Sequence, residues 1–451
     1  MTLPTYYSPR ISSEVDDCSL PLTFDSYSRC SLGCRYCFSN SQKDNNPVLK
    51  QAPLQGVDVK YILSLIDGTA SNKEGKLFYE YFFKKRFILH WGGLADPFCH
   101  VEKKHGIGYT LLKELADRKY PTLFSFKGPM VLDDKYLRLF DDYKEQQSFA
   151  FQTSIVTADD ELAKYVEPGV PSPTKRFAAM KTLADMGYYT VLRMRPFIVG
   201  VTDLSLDDIL QKGLDSGMGG ISTEFYAVDS RSNNSPWAKK QFAEMAKLTG
   251  VSDFQKYYST LSPSERGGYM RLNRLVKEPS IHKMVKFCAE HDVVFSCSDP
   301  DFKEMGTSPC CCGLPEVSTR NKEFENFTSN QMTAAIIRAR RLYHSTGECM
   351  KFRFHEVYGT PEDHSFLNDI ELSHQNCGCT SYPYAYRKRL TQLNMLQHKW
   401  NNLRSSANIQ NYFHGKVMPI GLDETGLNLM FQYQVHDYET KWAKEGVDMT
   451  R

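Results

Sequence analysis

The chain has 451 residues, with 55 Lys and Arg against 53 Asp and Glu, a formal net charge of +2. That length suits a large barrel with an extension, or roughly two to three domains, and so balanced a charge raises no global field for nucleic acid or a membrane surface. No apolar run approaches the ~18 residues of a membrane span, and the start, Met1-Thr2-Leu3-Pro4, lacks the basic and apolar regions of a signal peptide. Thirteen cysteines, an odd number at metal-like spacings in a long chain, fit a reducing cytoplasm better than a disulfide framework. The 26 Tyr and 27 Phe read as core before they read as a binding surface.

Strand and helix patterns alternate from the N-terminus to about residue 226. Residues 22–28 read as a strand, 57–66 as a helix, and 87–91 as an apolar strand ending in Gly92-Gly93. Residues 109–118 carry helical periodicity, with Leu111, Leu112 and Leu115 on one side. Strands are expected at 121–126, 148–154, 188–194 and 220–226, with helices at 133–143, 175–186 and 206–214 between them. Six β/α units of this kind predict a parallel sheet with its functional residues at the strand C-terminal ends.

Beyond Ala227 the pattern loosens. Residues 229–236 are polar and turn-rich, 281–291 read as a helix, and 293–297 as a seventh strand or a bridge out of the barrel. From about residue 300 the chain is irregular and rich in cysteine, then helical. Residues 386–403 form one expected helix, with Leu390, Leu393, Leu396, Trp400 and Leu403 near one face. Arg387, Lys388, Arg389 and Lys399 read as its solvated side rather than a polyanion contact. The expected division is an N-terminal extension over 1–20, a barrel over 21–228, a helical insertion with the seventh strand over 229–300, and a cysteine-bearing, mostly helical C-terminal region over 301–451. There is no internal repeat and no low-complexity segment.

The first strand delivers Cys30, Cys34 and Cys37, spaced C-x3-C-x2-C. Soft thiolates this close together suit an iron–sulfur cluster. Three ligands for four irons leave one iron open, as a catalytic site requires. Gly33 lets the loop turn tightly, and aromatic Tyr36 precedes the last cysteine. Structural zinc would call for a fourth nearby ligand, and the next His and Cys are His90 and Cys99.

This cysteine motif resembles the signature of the radical S-adenosylmethionine superfamily. The resemblance implies a partial (β/α)6 barrel and a [4Fe–4S] cluster whose open iron binds S-adenosylmethionine. It also implies reductive cleavage to a 5′-deoxyadenosyl radical, with one electron from an external reductant of flavodoxin or ferredoxin type. The run His90-Trp91-Gly92-Gly93-Leu94-Ala95-Asp96-Pro97, Lys127, Ser154, 167–173 and Arg193-Met194-Arg195-Pro196 resemble the branch that holds spore photoproduct lyase. The resemblance covers residues 20 to 226, about half the chain. By family role Gly92, Gly93 and Asp96 approach the cofactor's amino group, while Lys127 and Ser154 contact its carboxylate or ribose. Tyr36 joins them as a candidate cofactor contact, and Arg193, Arg195 and Glu224 read as contacts to cofactor or substrate, with ion-paired barrel charges as a comparable reading of these three. Glu167 reads either as a site residue or as a cap on the adjoining loop or helix.

Gly93 stands where that lyase carries its hydrogen-donating cysteine, which disfavours photolesion repair. Cys99, six residues on, is the candidate for a direct catalytic cysteine, although a lone cysteine is usually inert packing. A second thiol group, Cys297, Cys311, Cys377 and Cys379, with Cys310 and Cys312 as substitutes, suits a second iron–sulfur cluster or structural zinc. His355, His364 and His374 fall in the same region and each reads as structural. The branch tilts the substrate toward a nucleobase or nucleic acid. A peptide substrate, or a non-catalytic zinc-dependent nucleic-acid binder, are the alternatives.

Overall fold

A computed structural model describes residues 3–6, 10–11, 19–20, 22–39, 53–229, 236–261, 269–327, 332–358, 413–426 and 429–451. The expected helix over 386–403 lies outside them, as do His364 and His374.

Seven parallel strands form the centre: β1 Leu22–Phe24, β2 Leu89–Trp91, β3 Thr122–Phe126, β4 Phe149–Ser154, β5 Tyr189–Phe197, β6 Gly220–Phe225 and β7 Val294–Cys297. They lie side by side in chain order, and a short antiparallel strand, Arg10–Ile11, edges β1. The sheet therefore has two ends and is a partial barrel. Helices cross between strands, as parallel pairing demands: α1 Val59–Ile66, α2 Ile107–Asp117, α3 Asp134–Tyr143, α4 Pro173–Asp185, α5 Leu206–Asp215 and α6 Arg274–Glu290. Their starts are written in the sequence. Asp58 accepts from Tyr61 N, Ser172 from Lys175 N ahead of Pro173, and Asn273 from Val276 N.

Alternation along the strands separates two faces. Phe24, Trp91, Phe124, Phe149 and Phe151 face the helices and pack with Leu111, Leu115 and Phe140 in one core. Phe124 stands 5.2 Å from both Trp91 and Phe151. The other face carries His90, Ser125, Gln152, Arg193, Ser222 and Glu224, so the concave interior is polar. His90 Nε2 and Ser125 Oγ lie 2.8 Å apart, and the Ser125 hydroxyl donates to Gln152 Oε1.

A segment after β7 closes the bottom of this interior. The carbonyls of Cys311, Cys312 and Gly313 accept hydrogen bonds from the Ser222 hydroxyl, Gln152 Nε2 and the Tyr189 hydroxyl respectively. Cys310, Cys312, Leu314, Phe324 and Phe327 pack there against Leu20, Ile88, Leu123 and Ala150. Three adjacent peptide groups are thus held by three strands, which fixes the loop by its backbone rather than its thiols.

The structure adds elements that the sequence pattern does not yield. A helix, α7 Pro236–Thr249, succeeds the turn-rich stretch. Helix α6 begins seven residues before the expected 281 and runs through Pro279. The described C-terminal residues include an antiparallel sheet as well as helices: β8 Lys351–Arg353, β9 Val417–Leu422 and β10 Leu429–Tyr433, with β10 in the middle. This sheet packs on α8 Met332–Thr346 through Phe352, Phe431, Tyr433 and Ile336. Buried ion pairs, Lys416 with Glu304 and Lys277 with Asp299, lock the chain after β7 to its surroundings. No helix among the described residues is long and apolar enough to cross a membrane.

Candidate active site

The loop of Cys30, Cys34 and Cys37 leaves the C-terminal end of β1. All three are free and partly exposed. Gly33 sits in the left-handed region at φ 66°, the turn expected between the first two cysteines. Backbone bonds hold the loop to the segment before α4: Arg35 N donates to Val166 O at 3.0 Å, and Gly169 N to Leu32 O at 3.0 Å. Helix α7 braces it from outside, with Arg35 Nη1 2.8 Å from Glu244 and Gln241 Nε2 donating to Arg35 O at 3.1 Å.

A buried charge network lies beside Cys34. The Lys127 ammonium donates to the Tyr36 hydroxyl, which donates to Glu167, and Lys127 Nζ is itself 3.2 Å from Glu167 Oε1. Arg176 Nη2 holds the other oxygen at 2.6 Å, and Nη1 donates to Ser154 O. Burial works to lower the Lys127 pKa, but Cys34 and Glu167 more than offset it and the group is raised. Burial alone would raise Glu167, and Arg176 and Lys127 bring it below its ordinary value. The Cys34 thiol is pushed up to about 12 by burial, with Lys127 and Arg176 working the other way. Those two cations favour the thiolate that a metal requires.

Higher in the interior, Arg193 Nη1 donates to Ser154 Oγ and to Arg195 O, both at 3.3 Å. Arg195 pairs with Glu224 Oε2, and Arg271 Nη1 lies 3.3 Å from Glu224 Oε1. Burial would raise the Glu224 carboxyl, but Arg195 and Arg271 hold it down to about 2.

The expected glycine-rich segment comes directly after β2. Gly92 has φ 104°, and a Cβ there would stand 2.3 Å from Ser125 O, so only glycine fits. Gly93 is next, partly exposed. Asp25, at the end of β1, accepts from Leu94 N and Ala95 N at 2.9 Å each. Asp96 accepts from Phe98 N at 2.8 Å and Gly128 N at 3.0 Å, and also from Lys127 N. Oδ2 thus staples the β2 end to the β3 end, while Oδ1 holds the local turn at Phe98.

Cys99 is fully buried under the loop and shares a hydrogen bond with Cys30. That bond is the leading cause that raises Cys30 and lowers Cys99. A direct catalytic role would require the Cys99 thiol to leave this position.

The fold gathers Tyr36, from the cysteine loop, and Lys127, Ser154, Arg193, Arg195 and Glu224, from the later strand ends, around one interior. The sequence pattern does not yield Arg176, Arg271 or Asp25, and it leaves Glu167 open between two roles. The downstream thiols separate. Cys297 pairs in register with Thr223 and lies on the outer face among Ile281, Met284 and Phe295, not on the interior side. Its charged neighbours are Asp299, Lys277 and Glu304, whereas those of Cys311 are Cys312, Arg195 and Lys303. Cys377 and Cys379 lie outside the described residues. Among the described residues no group of three or more His, Cys, Asp or Glu is arranged to hold a metal ion. For Cys30, Cys34 and Cys37 the donor chemistry fits an iron–sulfur cluster, because three free thiols share one braced loop. Loading it requires Cys30 to turn from Cys99.

No family model matches the chain. Uncharacterized proteins of Mycobacterium tuberculosis and Mycobacterium bovis are 24% identical to it over 220 residues, 48% of this chain and 61% of theirs. The match therefore spans less than two thirds of those curated relatives. Among solved structures, a mutant of spore photoproduct lyase with bound AdoMet and dinucleoside spore photoproduct superposes with a TM-score of 0.45 at 12% identity, covering 65% of this chain and 81% of that one. Streptococcus suis SuiB bound to S-adenosylmethionine gives a TM-score of 0.37 at 12% identity, covering 62% and 51%.

Proposed function

We propose that the chain is a radical S-adenosylmethionine enzyme, with Cys30, Cys34 and Cys37 holding a [4Fe–4S] cluster. One observation carries the reading: three free thiols on a single braced loop stand at the C-terminal mouth of a parallel barrel, beside a buried lysine and a polar interior. Barrel enzymes place their chemistry at that mouth. When bound, the cluster supplies one electron, drawn from a flavodoxin- or ferredoxin-type donor, for cleavage of S-adenosylmethionine to a hydrogen-abstracting radical.

This chain's own residues bind, orient and seal. Gly92 and Gly93 let backbone approach the cofactor, and Asp25 and Asp96 fix that segment through its N–H groups. Lys127 and Ser154 are the residues assigned to the cofactor's carboxylate or ribose, and Arg176 and Glu167 set Lys127 in place. Ser222, Gln152 and Tyr189 hold the floor loop that shuts the bottom, so substrate enters from the strand C-terminal ends and water is excluded below. A base or nucleotide is the substrate class in keeping with the guanidinium-rich interior, and the reaction belongs in a reducing compartment.

The test is anaerobic reconstitution with iron and sulfide, then incubation with dithionite and S-adenosylmethionine. Formation of 5′-deoxyadenosine supports the reading. A protein that takes up zinc in place of iron, and cleaves no cofactor, refutes it.

A further inference from the structure

A short helix, His100–His105, follows Cys99 and lies against the cysteine loop. His100 Nε2 stands 3.0 Å from Gly169 O, and Gly169 N donates to Leu32 O at 3.0 Å. Two polar contacts thus join this helix to the loop that bears the three thiols. Glu102 is the one carboxylate between residues 97 and 113. It is turned inward, buried, and accepts from the Tyr27 and Tyr136 hydroxyls and from Gly108 N and Tyr109 N. The outward side therefore carries no anion of its own, and His100, Lys103 and Lys104 are exposed there. The loop adds an apolar spot, because Phe38, directly after Cys37, is 54% exposed. An aromatic contact with a charged rim is the composition of a protein–protein interface. Helix α7 also braces the loop, but meets it through the carboxylate of Glu244, which offsets its own lysines.

We infer that His100, Lys103, Lys104 and Phe38 form the docking surface for an acidic electron-carrier protein of flavodoxin type. The inference rests on the function proposed above, in which the cluster on this loop takes one electron from outside the chain. An acidic carrier is steered to a cationic surface, which raises the rate of encounter and loses its effect as salt is added. Weak redox encounters need only a small contact, which one short helix and one ring supply. Phe38 meets the apolar edge of the flavin. One electron leaves the flavin hydroquinone and enters the cluster, and no covalent bond forms or breaks at the surface. Attachment to the thiol loop, rather than to the wall of Arg193 and Glu224, favours a redox partner over a polyanionic substrate.

The experiment compares reduced flavodoxin with dithionite as the electron source for cofactor cleavage by the reconstituted full chain. Lys103→Glu combined with Lys104→Glu should raise the KM for flavodoxin about tenfold at low ionic strength. It should leave kcat and the dithionite-driven rate at the parent values, and the KM deficit should shrink as salt is added. Calorimetric titration with oxidised flavodoxin reads the same surface without turnover, and this double variant and Phe38→Ala should each bind it more weakly than the parent. Lys212→Glu combined with Lys286→Glu, at exposed positions on α5 and α6, makes the same change in net charge and should have no effect. An equal loss in both double variants would reduce the effect to net charge and overturn the inference. Unchanged flavodoxin affinity in the Lys103 and Lys104 double variant, or in Phe38→Ala, would also overturn it. So would binding of a single-stranded oligonucleotide that the Lys103 and Lys104 double variant abolishes while flavodoxin is unaffected, which would assign the surface to nucleic acid. Absence of cleavage with dithionite refutes the class assignment, whereas cleavage with dithionite and no binding of flavodoxin refutes the docking surface, so the two failures are told apart.

Discussion

Arg176 places Nη2 2.6 Å from a Glu167 carboxylate oxygen, with the two side chains 2% and 0% exposed. This pair connects the start of α4 to the segment that backs the cysteine loop. The same carboxylate meets Lys127 and Tyr36 through its other oxygen. Cysteine loop, β3 end and β4 end are therefore tied together through one carboxylate and its partners.

Glu167→Ala should be the most damaging single change in this region. It strands Arg176 and Lys127 without their anion, and breaking a buried pair costs about 3–5 kcal/mol. Denaturant unfolding of the metal-free protein measures it. A loss below about 1 kcal/mol, the range of an exposed pair, would mean that the network does not hold the loop.

Cys34→Ala should abolish cluster assembly and 5′-deoxyadenosine formation while the fold persists, because Cys34 lies on a loop held by backbone bonds. Iron content, cofactor cleavage and circular dichroism are the three readouts. Cleavage at the parent rate would sink the site assignment.

Gln152→Leu should weaken the floor. The substitution leaves Cys312 O without its donor and leaves the Ser125 hydroxyl with His90 alone. An unsatisfied buried polar group costs about 1–3 kcal/mol. The expected signature is faster proteolysis between residues 306 and 327. Unchanged unfolding and unchanged cleavage there would show that the floor does not depend on this bond.

His436 should make stability fall on mild acidification. Its pKa drops from 6.5 to about 4, through burial first and Lys416 next, and Arg274 Nη1 lies 3.1 Å from its Nδ1. A folded pKa below the unfolded one means that the stabilisation is complete above about pH 6.5 and is lost as pH falls toward 4. His436→Asn keeps a residue suited to start the helix Asp437–Lys444 and removes the titration. Between pH 6.5 and 4 it should lose ~2 kcal/mol less than the parent. Parallel pH profiles for the two proteins would refute the assignment.

Some of this arrangement is legible in the sequence because short-range physics writes it. The strands announce themselves by apolar, aromatic runs such as 87–91 and 121–126, and the helices by a cap, as at Ser172, or by an apolar period, as at Leu111, Leu112 and Leu115. The cysteine loop is legible by spacing alone. Arg176 is not, since nothing local distinguishes an arginine in an amphipathic helix from one that closes a buried network. Arg271 comes after a two-residue strand with no period of its own. Cys297 misleads because a strand end suggests an interior position, whereas alternation from Phe295 sends its side chain outward. Helix α6 starts seven residues before the expected 281 and holds Pro279 inside it. The proline costs the helix one N–H, yet Asn273 caps the start ahead of it and the helix runs on to Glu290.

The floor of the chamber is laid last. Gln152 and Cys312 are 160 positions apart in the chain, and every wall strand through β7 precedes the segment that seals them. During synthesis Ile88, Leu123 and Ala150 face water until that segment arrives. Closing so long a loop is entropically slow, and the half-built barrel offers apolar surface to any neighbour meanwhile. Chains halted before residue 306 should therefore aggregate rather than fold into a smaller barrel, and the most persistent chaperone contacts should fall on the inner face of β2 to β4.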